Sequence, residues 1–159
     1  MKNRSIQFRN LLLTVFALSL FSCSTTKLAN PGEAQRLQNM APPDGKALIY
    51  FIRPSAVGSV VNMKITCDGR HIGSTTGKRY IYALVEPGKR EFVSHAENKD
   101  ELPLVTEAGQ TYFIEQKAKM GIVMARTRLE RISEEEGRKK LAKCKLSGDC
   151  PAYVAQGNE

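Results

Sequence analysis

The sequence predicts a mainly β fold: a single antiparallel β-sandwich of seven or eight strands, with a C-terminal α-helix and an N-terminal signal peptide. Three observations carry this. From Asp44 onward apolar residues recur with period two. Turn signals interrupt that pattern at spacings of about 8–12 residues, as in sandwiches rather than βαβ folds. The one clear helix start is the capping box of Ser133 and Glu136.

The elements follow in order. Lys46–Arg53 is a dense apolar run stopped by Pro54, as expected of a buried strand. Val60–Cys67 and Arg70–Ser74 flank Asp68-Gly69, a strong short hairpin signal. Thr76-Gly77 marks a turn, after which Arg79–Val85 alternates, with Tyr80, Tyr82 and Leu84 on one face. Glu86-Pro87-Gly88 places Pro and Gly as a type II turn requires, and Lys89–Ala96 is the next strand. Leu102–Thr106 and Gln110–Lys117 lie around Ala108-Gly109. Ile122–Ile132 is the last strand, with Val123, Ala125, Thr127 and Leu129 on one face and Arg126, Arg128 and Glu130 on the other. From Ser133, acidic residues crowd the helix start and Lys139, Lys140 and Lys143 its end, which complements the helix dipole. Its apolar face is thin, chiefly Leu141 and Cys144, so light packing is expected.

The N-terminus reads as an export signal. Lys2, Arg4 and Arg9 precede an apolar run, Leu11–Phe21, broken only by Thr14 and Ser19. As a helix this run rises about 16 Å, half of a ~30 Å hydrocarbon core, too short to span. It ends in Leu20-Phe21-Ser22-Cys23, which resembles the lipobox of bacterial lipoproteins. The resemblance implies cleavage after Ser22, diacylglycerol on the Cys23 thiol and a further acyl chain such as palmitate on the new amine. Ser24, where Asp would retain the chain in the inner membrane, implies the outer membrane, facing the periplasm. An ordinary secretory signal is the alternative, but Ser24-Thr25-Thr26 supplies no usual cleavage pattern. The expected organisation is residues 1–22 signal peptide, 23–43 lipidated flexible tether, 44–132 β-sandwich, and 133–159 helix and tail. The tether carries Pro31-Gly32 and Pro42-Pro43, Glu33–Met40 has room for one or two helical turns with little apolar face, and a flexible chain of this length has an r.m.s. reach of about 25 Å.

Removing residues 1–22 leaves 137 of 159 residues, enough for one domain with a small core. It also removes three of the 24 Lys and Arg and no acid, so the net charge falls from +8 to +5. Export makes nucleic acid an unexpected partner; the residual positive charge suits anionic headgroups or acidic wall polymers, or is a solvated surface. Cys144 and Cys150 bracket a turn-prone stretch, and a disulfide between them is expected in an oxidising compartment. Cys67 then remains as a small buried hydrophobe, or pairs with one of the two.

Between Pro43 and Lys140 the chain is similar to an uncharacterised family of bacterial lipoprotein domains. The segments that carry this are Pro43–Pro54, Cys67-Asp68-Gly69 with Ile72-Gly73, Val85–Lys89, Glu107–Phe113 and Ser133–Arg138. The Pro-Gly turn also resembles that of PEGA and carboxypeptidase-regulatory-like β-sandwich domains. The resemblance implies a non-enzymatic envelope module.

Catalytic patterns are sparse. Cys67, Asp68, His71 and His95 are the residues from which a zinc set would have to come, but no ligand spacing recurs. Gly73–Lys78 resembles a phosphate-loop ending without its full spacing or following helix, and reads as a turn. No Gly-x-Ser-x-Gly elbow occurs. No catalytic residue, metal site or cofactor beyond the Cys23 lipid is therefore expected. The expected partner surface is an aromatic and basic face of Tyr80, Tyr82, Arg126 and Arg128, or an unpaired sheet edge. The expected function is a membrane-anchored periplasmic lipoprotein that binds or supports an envelope protein or wall polymer. The alternative is a metal-dependent or other enzyme acting on an envelope component.

Overall fold

A computed structural model describes residues 31–122, 125–148, 150 and 153–155. The signal peptide, Ser22 and Cys23 lie outside these residues. Two sheets face each other, as the mainly β reading requires. One contains β1 (Ala47–Arg53), β4 (Arg79–Val85), β7 (Thr111–Met120) and β8 (Ala125–Ile132), with β9 (Lys145–Leu146) and β10 (Tyr153–Ala155) both added to β4. Its order is β10-β4-β1-β7-β8. The other runs β3-β2-β5-β6, from β2 (Met63–Cys67), β3 (Arg70–Thr75), β5 (Gly88–His95) and β6 (Lys99–Thr106). Among the described residues two helices complete the fold, α1 (Pro31–Gln38) and α2 (Glu134–Leu141).

The larger sheet is mixed rather than purely antiparallel, because β1 pairs parallel with β7 and antiparallel with β4. Pro-Gly at 87–88 and Ala-Gly at 108–109 are crossovers between sheets, not hairpin turns, which is how sequence neighbours leave β1 and β7 side by side. Asp68-Gly69 does close the β2–β3 hairpin, with φ of 48° and 78°, as a type I′ turn demands.

Every residue of β1 is buried. Ala47, Ile49 and Phe51 enter the core between the sheets; Leu48, Tyr50 and Ile52 enter a second layer with Tyr80, Phe113, Leu141 and Cys144. The second layer is roofed by α2, which packs more closely than its thin apolar face suggests. A Cβ on Gly137 would come under 3.0 Å from the Phe113 ring, which itself stacks on Tyr50 at 5.4 Å. Ser133 caps the helix through Glu136 N, and Lys140 bonds to Glu115 of β7 at 2.7 Å.

Within the expected tether the helical turns are present, at Pro31–Gln38, and their packing corrects the flexible reading there. Residues 31–38 are helical, the Leu37 carbonyl accepts from the buried Tyr50 hydroxyl, and Gln38 Nε2 donates to Leu141 O and Cys144 O. A backbone tied down at these points is not a free linker.

Because Gly137 lies directly over Phe113, Gly137→Ala is expected to cost about 1–3 kcal/mol by overpacking. Exposed Lys139→Ala on the same helix should stay within about 0.5 kcal/mol. Urea unfolding midpoints of the two variants check this.

Candidate binding surfaces and the Arg53 clamp

The sequence signal at Arg53 was only the end of an apolar run, yet this is the largest fully buried side chain among the described residues. Alternation along β1 turns it inward after Ile49 and Phe51. Its Nη1 donates to Val61 O (2.7 Å) and Thr75 O (3.2 Å), and its Nη2 to Gly58 O (2.6 Å) and Val57 O (3.2 Å). Four of the five N–H donors are thus satisfied by carbonyls, and only Nε–H is left without a partner. Burial lowers the guanidinium pKa from its ordinary value. The consequence is a fixed 54–62 loop, where a strand from Val60 was expected. Gly58 allows the close approach, at φ 58° with Arg53 and Ala125 beside it.

A row of buried polar side chains continues inward from the clamp. Thr75 bonds to Gln116, Gln116 Nε2 donates to Ser94 Oγ (2.6 Å), and Ser94 meets Thr127 (2.7 Å). This row ties β3, β7, β5 and β8 together at fixed positions. It was not foreseen, since each member taken alone reads as a solvent-facing residue.

The predicted partner face does not assemble. Tyr80 is fully buried and Tyr82 half-buried on β4, while exposed Arg126 and Arg128 stand on β8, with β1 and β7 between. Tyr80 belongs to the layer beneath α2, where its hydroxyl lacks a partner and burial raises its pKa. The edge-pairing expectation fails at β8. Its outward backbone groups are taken by the loop and strand beside them: Thr127 N and O bond to Asn98, Leu129 N to Asp100, and Ala125 O to Glu97 N.

Arg126 and Arg128 do stand in a basic patch. They lie opposite Lys119 and Lys117 across the β7–β8 ladder, two like-charge pairs in register. Lys117 is satisfied by Glu130 (2.6 Å) and Glu115 (3.8 Å). No carboxylate among the described residues pairs with Lys119, Arg126 or Arg128. Like charges facing each other across strands are destabilising in isolation.

The cysteines do not form the expected disulfide. Cys144 is a buried thiol in the α2-side layer, whereas Cys150 packs against the inter-sheet core and presents Sγ to Tyr82 O. The two lie on opposite faces of the larger sheet. Burial pushes the Cys67 thiol up to about 12 and the Cys144 thiol up to about 11. Neither supplies a thiolate at neutral pH. Among the described residues no group of three His, Cys, Asp or Glu is placed to hold a metal ion. Cys67 points into the inter-sheet core, whereas His95 of β5 lies on the other face of the smaller sheet, where it meets Thr66 at 3.2 Å. A cleft of about 530 Å³ opens between the start of β7 and the end of β8, with Arg131 stacked 5.1 Å over Tyr112. Its lining includes Thr111, Ser133 and Glu134, and the Ser133 hydroxyl is engaged in capping the helix.

Two predictions follow from this geometry. Arg53→Lys, whose single ammonium cannot span four carbonyls, should lower stability by about 3 kcal/mol or more. It should also speed amide exchange at Val61, whose N–H closes the loop onto Gly58 O; exchange mass spectrometry reads this. Iodoacetamide at pH 8.5 should leave Cys67 and Cys144 unmodified until denaturant is added. Because the folded thiols titrate above the ordinary value of 9.0, the unfolded chain loses protons first, and stability should fall as pH rises past about 9.

Comparison with known proteins places the chain among uncharacterised relatives. A Haemophilus influenzae protein, described only as an uncharacterized protein, is 29% identical over 133 residues, covering 82% of this chain and 79% of its own. Residues 43–127, from just before β1 into β8, match a family model described as a protein of unknown function, DUF2846. The chain belongs to that DUF2846 family.

Proposed function

We propose that this protein is a lipid-anchored envelope module that binds or supports another envelope component and performs no catalysis. The observation that carries the reading is Leu20-Phe21-Ser22-Cys23 at the end of an apolar run too short to span a bilayer. In this reading Cys23 bears diacylglycerol, its amine bears a palmitate-type chain, and Ser24 directs the protein to the outer membrane, facing the periplasm. Two or more chains make a lasting anchor where one is marginal. The partner is a membrane-associated protein or a wall polymer.

The placement of α1 supports a short connection. Seven residues separate Cys23 from Pro31, eight Cα–Cα steps of at most about 28 Å in all when extended, so a lipidated chain would hold the sandwich near the headgroups. Support for a non-catalytic role comes from the thiols: those of Cys67 and Cys144 are buried and protonated at neutral pH.

The test is metabolic labelling with an alkyne fatty acid in cells expressing the full chain. Label and membrane sedimentation should both be present in the wild type and both be lost in Cys23→Ser. Label that survives the substitution, or a wild-type chain found unlabelled in the soluble fraction, overturns the reading.

A further inference from the structure

One end of the sandwich gathers features that nothing above uses. Strand directions place Arg53, Arg79, Met120 and Ala125 at the same end of the larger sheet. The Arg53 bonds to Thr75 and Val61, and the Glu97–Ala125 bond, bring the matching end of the smaller sheet to it. The 54–62 loop, the 76–78 loop, the 96–98 loop and the β7–β8 turn all converge there.

This end is both apolar and basic. Five large hydrophobes are strongly exposed among the described residues, and four of them are here: Val57 (48%), Val60 (91%), Met120 (87%) and Ile122 (93%). Lys119 and Arg126, without carboxylate partners, flank the β7–β8 turn at its base. On the neighbouring sheet Lys64 and Lys99 stand on either side of His95, whose pKa is lowered by burial first and then by Lys99 and Lys64. Glu97 is the one carboxylate in the three loops. Its Oε1 accepts from Ile122 N (3.2 Å), which holds Ile122 against the 96–98 loop.

We infer that this end is a membrane-docking surface, with Val60, Met120 and Ile122 entering the interface of a bilayer and Lys119 and Arg126 meeting its anionic headgroups. Apolar side chains ringed by basic ones are what an anionic interface takes up. The clamp removes the usual obstacle to such docking. Loop carbonyls brought toward hydrocarbon need internal donors, and Arg53 supplies them at Val57, Gly58 and Val61. The like-charge ladder of β7 and β8 becomes favourable once phosphates lie against it.

The inference rests on the anchored-envelope reading for which membrane is met, and its test does not need the anchor. All described elements lie within residues 31–155, so the chain from residue 24 onward carries the whole described fold. That chain would be floated with vesicles of phosphatidylcholine alone and of equal parts phosphatidylcholine and phosphatidylglycerol. Binding is expected only to the anionic vesicles. It should fall about tenfold or more in Met120→Ser/Ile122→Ser. Each basic residue at an anionic surface contributes about fivefold, so Lys119→Glu/Arg126→Glu should lose about 25-fold or more. All four positions are exposed, and an unchanged unfolding midpoint confirms that the fold is kept. A wild-type chain that ignores anionic vesicles, or variants that bind as well as wild type, overturns the docking surface whatever the acylation of Cys23. An unacylated Cys23 with vesicle binding intact removes the anchor and leaves the docking surface standing.

Discussion

A strand buried on both faces is the constraint from which this architecture follows. β1 has no solvent side, so the fold must supply two apolar layers rather than one. The smaller sheet covers one face. The other has no second sheet, and α2 roofs it by lying on Phe113 at Gly137, with α1 hydrogen-bonded beside it. Central strands of this kind are normal where parallel pairing occurs, because crossovers bring cover to both faces. Here the parallel partner is β7, reached through the smaller sheet rather than through a βαβ helix.

Much of this was legible. The unbroken apolar run at 47–52 marks a buried strand, Asp68-Gly69 fixes a hairpin, and Ser133 with Glu136 starts a helix, each through a local physical rule. What was not legible is non-local. Pro-Gly at 87–88 looks the same whether it joins neighbours in one sheet or hands the chain to the other. The mixed sheet therefore could not be read from strand spacing. The Tyr80, Tyr82, Arg126 and Arg128 face failed for the same reason. Alternation gives each residue's face but not which strands are neighbours, and two strands separate β4 from β8. Cys144 and Cys150 are close in sequence, yet β4 and its added strands put them on opposite faces.

Arg53 is the less expected element. A buried cation usually sits against a carboxylate, since removing charge from water costs several kcal/mol even after relaxation. Here four carbonyls take that role, and hydrogen bonds to a charged group are worth about 1.5–3 kcal/mol each. A carboxylate would have neutralised the charge but left the loop unheld. The carbonyl set turns the same desolvation cost into a defined loop, and the Thr75–Gln116–Ser94–Thr127 row extends that order across both sheets. The sequence hides this, because an Arg after six apolar residues reads as the place where a strand emerges into water.

The two ends of the sandwich differ in a way that fold stability alone does not require. Near the start of β1 the charges are matched: Lys46 pairs with Glu86, and Arg90 with Asp68. At the opposite end Lys119 and Arg126 face each other unmatched, beside the most exposed hydrophobes. Neither an unmatched ladder pair nor an exposed Ile stabilises an isolated domain. Both are gathered beside the 54–62 loop, whose carbonyls at Val57, Gly58 and Val61 are satisfied by Arg53. A surface apolar and positive at once is suited to an interface that is itself apolar and negative. The interior charge at Arg53 and the exterior charge at Lys119 and Arg126 are then parts of one arrangement: the first fixes the loops, and the second gives that end its preference for anionic surfaces.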